Sequence, residues 1–144
     1  MKTFWCLVLI TVAFNGYSQN WNTNFKQASA DAASQNKAII LVFSGSDWCA
    51  PCIKLDKTIW QSEAFKNYAD TNYIMERADF PRKKQNELTE ELKKQNQVLA
   101  EKYNHDGIFP LVVVLDADGK VLGKTTYKNS TPEIYIEELN AFLK

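Results

Sequence analysis

The sequence predicts an α/β fold of three layers, a central mixed sheet with helices on both faces. Three observations predict it. Segments of helical periodicity alternate with short apolar runs in the order α-β-α-β-α-β-β-α. Two of the runs, residues 38–43 and 111–115, are apolar at every position, as interior strands covered on both faces are. The turn Asp116-Ala117-Asp118-Gly119 then joins the second run to a further strand as a hairpin. Early strands separated by helices pair in parallel through right-handed crossovers, and the hairpin supplies the antiparallel pair.

Taken in order, residues 21–36 carry Phe25, Ala28, Ala32 and Ala33 at helical spacing and predict a first helix. The first apolar strand follows and ends at Ser44-Gly45-Ser46-Asp47. Directly after it come Trp48-Cys49-Ala50-Pro51-Cys52, then Ile53, Leu55, Ile59 and Trp60 at roughly helical intervals, so the cysteines open a helix. Residues 62–70 extend that helix or form a second short one. Residues 73–80, stopped by Pro81, predict a strand, and residues 82–85 a basic, solvated loop. From 86 to 103, Leu88, Leu92, Leu99 and Tyr103 mark one apolar stripe on a charged helix. Gly107-Ile108-Phe109-Pro110 leads into the second buried strand, and residues 121–125 form its hairpin partner. Thr131-Pro132-Glu133 opens a last helix, with Ile134, Ile136, Leu139, Phe142 and Leu143 facing inward.

The length, 144 residues, suits one domain with one site. Hydrophobic residues at 45% and aromatics at 12% build a core without metal or disulfide staples. Seventeen Lys plus Arg balance 17 Asp plus Glu, so no net field draws the chain to nucleic acid or an anionic membrane. Residues 1–18 differ from the rest. Lys2 is followed by an apolar run from Phe4 to Phe14, about half of the roughly 20 residues a spanning helix needs. Gly16 and Ser18 then give the small-x-small spacing of a processing site. This predicts a signal peptide over 1–18 cleaved after Ser18, a domain over 19–144, export to the periplasm or outside, and no membrane insertion after cleavage. Cys6 leaves with the signal, so the mature chain keeps two cysteines.

Those two, Cys49 and Cys52, are separated by two residues at a strand-to-helix junction. Unpaired N–H groups and the positive end of the helix dipole stabilise negative charge on Cys49 more than on Cys52, a turn further in. Cys49 is therefore the expected attacking thiolate, and Cys52 the thiol that displaces a mixed disulfide from it. Pro51 stands in the first turn, where its missing N–H costs little.

The arrangement resembles the thioredoxin superfamily from about Phe25 to Lys144. The residues that carry the resemblance are Leu41-Val42-Phe43 before the site, Trp48-Cys49-Ala50-Pro51-Cys52 at it, and Gly107-Ile108-Phe109-Pro110 before the hairpin. It implies a thioredoxin-like three-layer sandwich and a cis Phe109–Pro110 bond against the cysteine pair. It also implies that Phe109 offers backbone groups to a bound peptide. The chain departs from the family in one respect. Thioredoxins carry a buried acid six residues before the first cysteine, and that position here is Phe43. Asp56, four residues after Cys52 on the same helix face, is the candidate replacement, with partial desolvation raising its affinity for a proton. Exported reducing relatives look similar in carrying a carboxylate there.

The expected function is therefore reduction of protein disulfides outside the cytoplasm through a Cys49/Cys52 dithiol. Asp56 would serve as base, with Trp48, Phe109 and Pro110 in contact with substrate. The expected partners are proteins with disulfides and a membrane or periplasmic thiol electron donor. The chain is expected to act as a monomer, with no organic cofactor. The alternative is a binding or metal-handling module that keeps a structural Cys49–Cys52 disulfide. A closed zinc site needs about four ligands, and beyond the pair the chain offers only His105. For Asp56 the alternative is a solvent-facing carboxylate paired with Lys57.

Overall fold

The apolar run that reads as a strand becomes β2 (Ala38–Ser44), the middle of a five-stranded mixed sheet ordered β1-β3-β2-β4-β5. The computed structural model describes residues 19–144. The expected signal segment and its processing site lie outside them. Along the chain the elements are β1 (Trp21–Asn22), α1 (Phe25–Gln35), β2, α2 (Ala50–Leu55), α3 (Glu63–Asn72), β3 (Tyr73–Asp79), α4 (Glu90–Tyr103), β4 (Leu111–Leu115), β5 (Val121–Thr125) and α5 (Pro132–Ala141). β2 pairs in parallel with β3 over its full length and antiparallel with β4, so the site-bearing strand end is clamped from both sides. β4 and β5 form the expected antiparallel hairpin.

Strand alternation divides the interior into two apolar layers. Ile40, Val42, Val112 and Val114 face α2, α3 and α5, where they meet Leu55, Ile59, Trp60, Phe65 and Leu139. Ile39, Leu41, Phe43, Val113 and Leu115 face α1 and α4, where they meet Ala28, Ala32, Leu99 and Tyr103. The side chains of β2 from Ile39 to Phe43 are buried, each worth about 1.5–3 kcal/mol relative to exposure. This is the three-layer sandwich that the sequence predicts.

Several boundaries differ, each for a local reason. Residues 21 and 22 leave the predicted first helix and pair with Met75 and Glu76 as β1. Asn24 caps α1 instead, its side chain accepting from the Gln27 N–H. The helix predicted from residue 86 starts at Glu90, because Thr89 takes the cap by accepting from the Leu92 N–H, and a single 3₁₀ turn (Lys84–Asn86) precedes it. After α2 the chain widens into one π turn (Asp56–Trp60), closed by the Gln61 N–H on the Asp56 carbonyl at 2.9 Å. Ser62 then caps α3 as a separate helix. In α5 the core is reached by Tyr135 and Leu139. Ile134 and Leu143, expected inside, are 55% and 42% exposed.

Candidate functional site

β2 ends at Ser44, and Gly45 turns the chain so that its carbonyl accepts from the N–H groups of Trp48 and Cys49. That turn sets Cys49 as the N-cap of α2, with its Sγ accepting from the Cys52 N–H at 3.3 Å. The two sulfurs are bonded to each other, with the Cα atoms 5.2 Å apart. The helix start expected at the first cysteine is therefore present. Cys49 is 5% exposed and Cys52 3%, so accessibility barely separates them in the disulfide form. What does separate them is the backbone: the Cys49 Sγ accepts from the Cys52 N–H of the first turn, and Cys52 lies within that turn.

Trp48 is half-buried and held on three sides. Its Nε1 donates to the Phe80 carbonyl at 2.7 Å, its ring meets Phe109 edge-on at 5.5 Å, and the Arg82 guanidinium lies 3.7 Å over it. Phe80 packs in turn on Phe109 at 5.5 Å, so Phe109 lies between the Trp48 and Phe80 rings. Asp47 fixes the facing loop by accepting from the backbone of Arg82 and Lys83 and from the Asn86 side chain, at 2.9, 3.0 and 3.0 Å. These bonds, the Arg82 N–H first and the Asn86 amide next, hold the Asp47 carboxyl below its ordinary range. Gly45 is required by close approach: a Cβ there would sit inside the Trp48 indole, against Cε2 and Cζ2. Gly45→Ala should push the indole off the Phe80 carbonyl and destabilise the protein by about 1–3 kcal/mol. Urea unfolding and the Trp48 fluorescence maximum read both effects together.

The Phe109–Pro110 bond is cis, as the resemblance implies. The turn before it is fixed by buried Asn104, which accepts from the Ile108 N–H and donates to the Ile108 carbonyl, both at 2.8 Å. Thr126 Oγ1 donates to the Pro110 carbonyl at 2.7 Å from the strand side. Pro110 and Cys52 line one small cavity of about 110 Å³, and Asp56 and Arg77 line the same space. The structure thus gathers Cys52, Pro110 and Asp56 around one cavity, and sets Trp48, next to Cys49, against Phe109.

Asp56 does not pair with Lys57. Its Oδ1 accepts from Arg77 Nη2 of β3 at 2.7 Å, and its Oδ2 from the Gln61 amide across the π turn. The same guanidinium stacks 3.9 Å over the Trp21 ring, so the short strand β1 helps to hold the carboxylate in place. Asp56 also remains beside the cavity it shares with Cys52. Phe43, at the position of the missing acid, is fully buried and stacks with Phe80 at 6.5 Å.

Arg77, Phe80, Arg82, Asp47 and Asn104 were not among the expected site residues. Their contacts join segments 21 to 56 residues apart, except for the local Asn104 loop, and carry no spacing signal. Glu76 was missed as well, though strand alternation with Ile74 and Ala78 placed it inward.

With the geometry in place, comparison with known proteins adds the following. A family model described as thioredoxin-like matches residues 20–117. The disulfide bond reductase DsbH of Chlamydia pneumoniae is 36% identical over 121 residues, which span 84% of this chain and 71% of that protein. The solved structure of a DsbH oxidoreductase superposes with a TM-score of 0.81 at 31% identity, covering 97% of this chain and 94% of that one. A thioredoxin from Thermus thermophilus, 15% identical, covers 88% of both chains with a TM-score of 0.64, a likeness of fold alone.

Proposed function

This chain belongs to the thioredoxin-like family and is a thiol–disulfide oxidoreductase, and we propose that it reduces protein disulfides outside the cytoplasm through Cys49 and Cys52. The observation that carries the reading is the bonded Cys49–Cys52 pair at the cap of α2, beside a cis proline. In the reduced protein the Cys49 thiolate attacks one sulfur of a substrate disulfide, forming a Cys49–substrate bond and releasing the other sulfur as a thiolate that takes up a proton. Cys52 then gives up its proton and attacks the Cys49 sulfur. The intramolecular disulfide forms, the second substrate thiol departs, and two electrons have passed to the substrate. A dithiol donor at the membrane or in the periplasm restores the pair by the reverse exchange.

Asp56 takes the Cys52 proton. Support comes from its place one turn after Cys52, its share of the cavity with Cys52 and Pro110, and the Arg77 bond that holds it there. Asp56→Asn should slow resolution by about a hundredfold, in the range of a lost general base, and let the mixed disulfide accumulate in quenched time courses. Unchanged resolution would remove Asp56 from the reaction.

The reductive direction is favoured by the Trp48-Cys49-Ala50-Pro51-Cys52 sequence and by the 36% identity to a protein named as a reductase. Export is supported by Lys2, the apolar run and the Gly16/Ser18 spacing. Among the described residues no helix is long and apolar enough to cross a membrane. N-terminal sequencing of protein from the exported fraction should begin at Gln19. The decisive assay is insulin reduction with dithiothreitol, together with the reduction potential of the pair: turnover above the dithiothreitol background sustains the enzyme. A pair that stays oxidised under all of these conditions would make the disulfide a staple.

A further inference from the structure

Resting on the reading of Cys49 and Cys52 as a disulfide-exchanging pair, we propose that the groove between the 80–88 segment and the start of α4 docks an acidic stretch of the polypeptide whose disulfide is exchanged. The groove has a volume of about 670 Å³, and Phe80, Pro81 and Leu88 give it apolar walls. Arg82, Lys83, Lys84 and Lys93 line it against only two acids, Asp79 and Glu87. Both acids are engaged within the protein. Asp79 accepts from the Ser46 N–H at 2.9 Å and the Ser46 hydroxyl at 2.5 Å, and Glu87 accepts from Lys93 at 2.6 Å. Among the described residues no carboxylate lies within ion-pair distance of the Arg82, Lys83 or Lys84 side chains. In a chain whose charges balance overall, three cations in succession, offset only in part by the Asp47 carboxylate that interacts with Lys83, form a local positive field.

That field is fixed relative to the disulfide. Asp47, two residues before Cys49, holds the backbone of Arg82 and Lys83, and Trp48, next to Cys49, holds the Phe80 carbonyl and lies under the Arg82 guanidinium. A substrate that places its disulfide at Cys49 and crosses the Trp48–Phe109 pair continues over Arg82 into the groove. Carboxylates in that stretch meet the cations against apolar walls, where water screens them less than at an open surface. A basic stretch meets repulsion at the same place. The groove therefore acts on which disulfides arrive and how fast, not on the exchange step itself.

The test uses the pre-reduced mature protein in single turnover. Two peptide disulfides of the same core are compared, one flanked by three Asp or Glu residues and its twin by three Lys. At low salt the acidic peptide should react about tenfold faster, and about 0.5 M salt should close the gap. Lys83→Ser with Lys84→Ser should remove most of the preference and leave the rate with the small neutral hydroxyethyl disulfide unchanged. Equal rates for the twins, or a preference that survives the double substitution, would overturn the proposal. If hydroxyethyl disulfide itself is not reduced, it is the oxidoreductase reading that fails. Fluorescence anisotropy of the labelled peptides on the oxidised protein then decides the groove separately: tighter binding of the acidic twin, lost in the double variant, upholds it, and equal binding rejects it.

Discussion

Cys52→Ser should turn the protein into a trap that holds its substrates as mixed disulfides, and Cys49→Ser should hold none. Both substitutions should lower steady-state insulin reduction by about a thousandfold or more, because the two sulfurs act as one unit and neither half-reaction completes the cycle alone. The asymmetry between them has a structural source. Cys49 is the cap of α2 and its Sγ already faces the Cys52 N–H, so a thiolate there gains that N–H and the positive end of the helix. Cys52 lies inside that turn, next to the cavity shared with Asp56 and Pro110, and in the proposed cycle it meets the substrate as the mixed disulfide on Cys49. Exposure contributes little, since both cysteines are buried in the disulfide form. Non-reducing gels and mass spectrometry of each variant, after incubation with oxidised insulin, read the adducts directly. Adducts on Cys49→Ser rather than on Cys52→Ser would reverse the assignment of nucleophile.

What could be read in the sequence follows the range of the interactions involved. The apolar runs of β2 and β4, the Asp116–Gly119 turn and the Thr131-Pro132 cap are set by residues within one element or one turn, and each is found where expected. The cysteine pair belongs to the same class, since a cap and a three-residue spacing are local. β1 does not. Two residues have no periodicity, and Trp21-Asn22 is a strand only because Met75 and Glu76 lie beside it. The partner of Asp56 was equally hidden. Helix spacing places Asp56 on the Cys52 face, but Arg77 reaches it from β3, and the π turn that brings in Gln61 leaves no mark in the apolar pattern. The basic residues 82–84 read as a solvated loop because their anchors, Asp47 and Trp48, lie more than 30 residues earlier. Tyr135 displaced Ile134 from the core because the cap at Thr131 sets the phase of α5, and Tyr135 Oη finds the Thr126 carbonyl at 3.2 Å. A buried aromatic with a partner for its hydroxyl outcompetes an aliphatic that faces outward.

Glu76→Gln should remove a steep loss of stability between pH 5 and pH 8. Glu76 lies in β3 between Asn22 of β1 and Leu41 of β2, is fully buried, and neither carboxyl oxygen has a hydrogen-bond partner among the described residues. Alternation along β3 turns it toward the layer of Ala28, Ala32, Leu41, Ile74, Ala78 and Leu99, none of which carries a charge. Burial without a compensating cation pushes its pKa from 4.5 up to about 8. The direction of the pH effect follows from proton counting. Between those two values the folded protein holds a proton that the unfolded chain has released, so stability falls as pH rises, by about 1.4 kcal/mol per pH unit. The contribution is fully present below the unfolded value and is lost once the pH passes the folded one, an overall change of about 5 kcal/mol. Gln has nearly the same shape and no proton to lose. The variant should therefore match the wild type within about 1–2 kcal/mol near pH 5, where the two differ only in which neutral polar group is buried, and exceed it by several kcal/mol at pH 8.5. Urea unfolding of the oxidised proteins at intervals from pH 5 to 9 measures the two curves. Parallel curves would show that Glu76 keeps the same charge folded and unfolded.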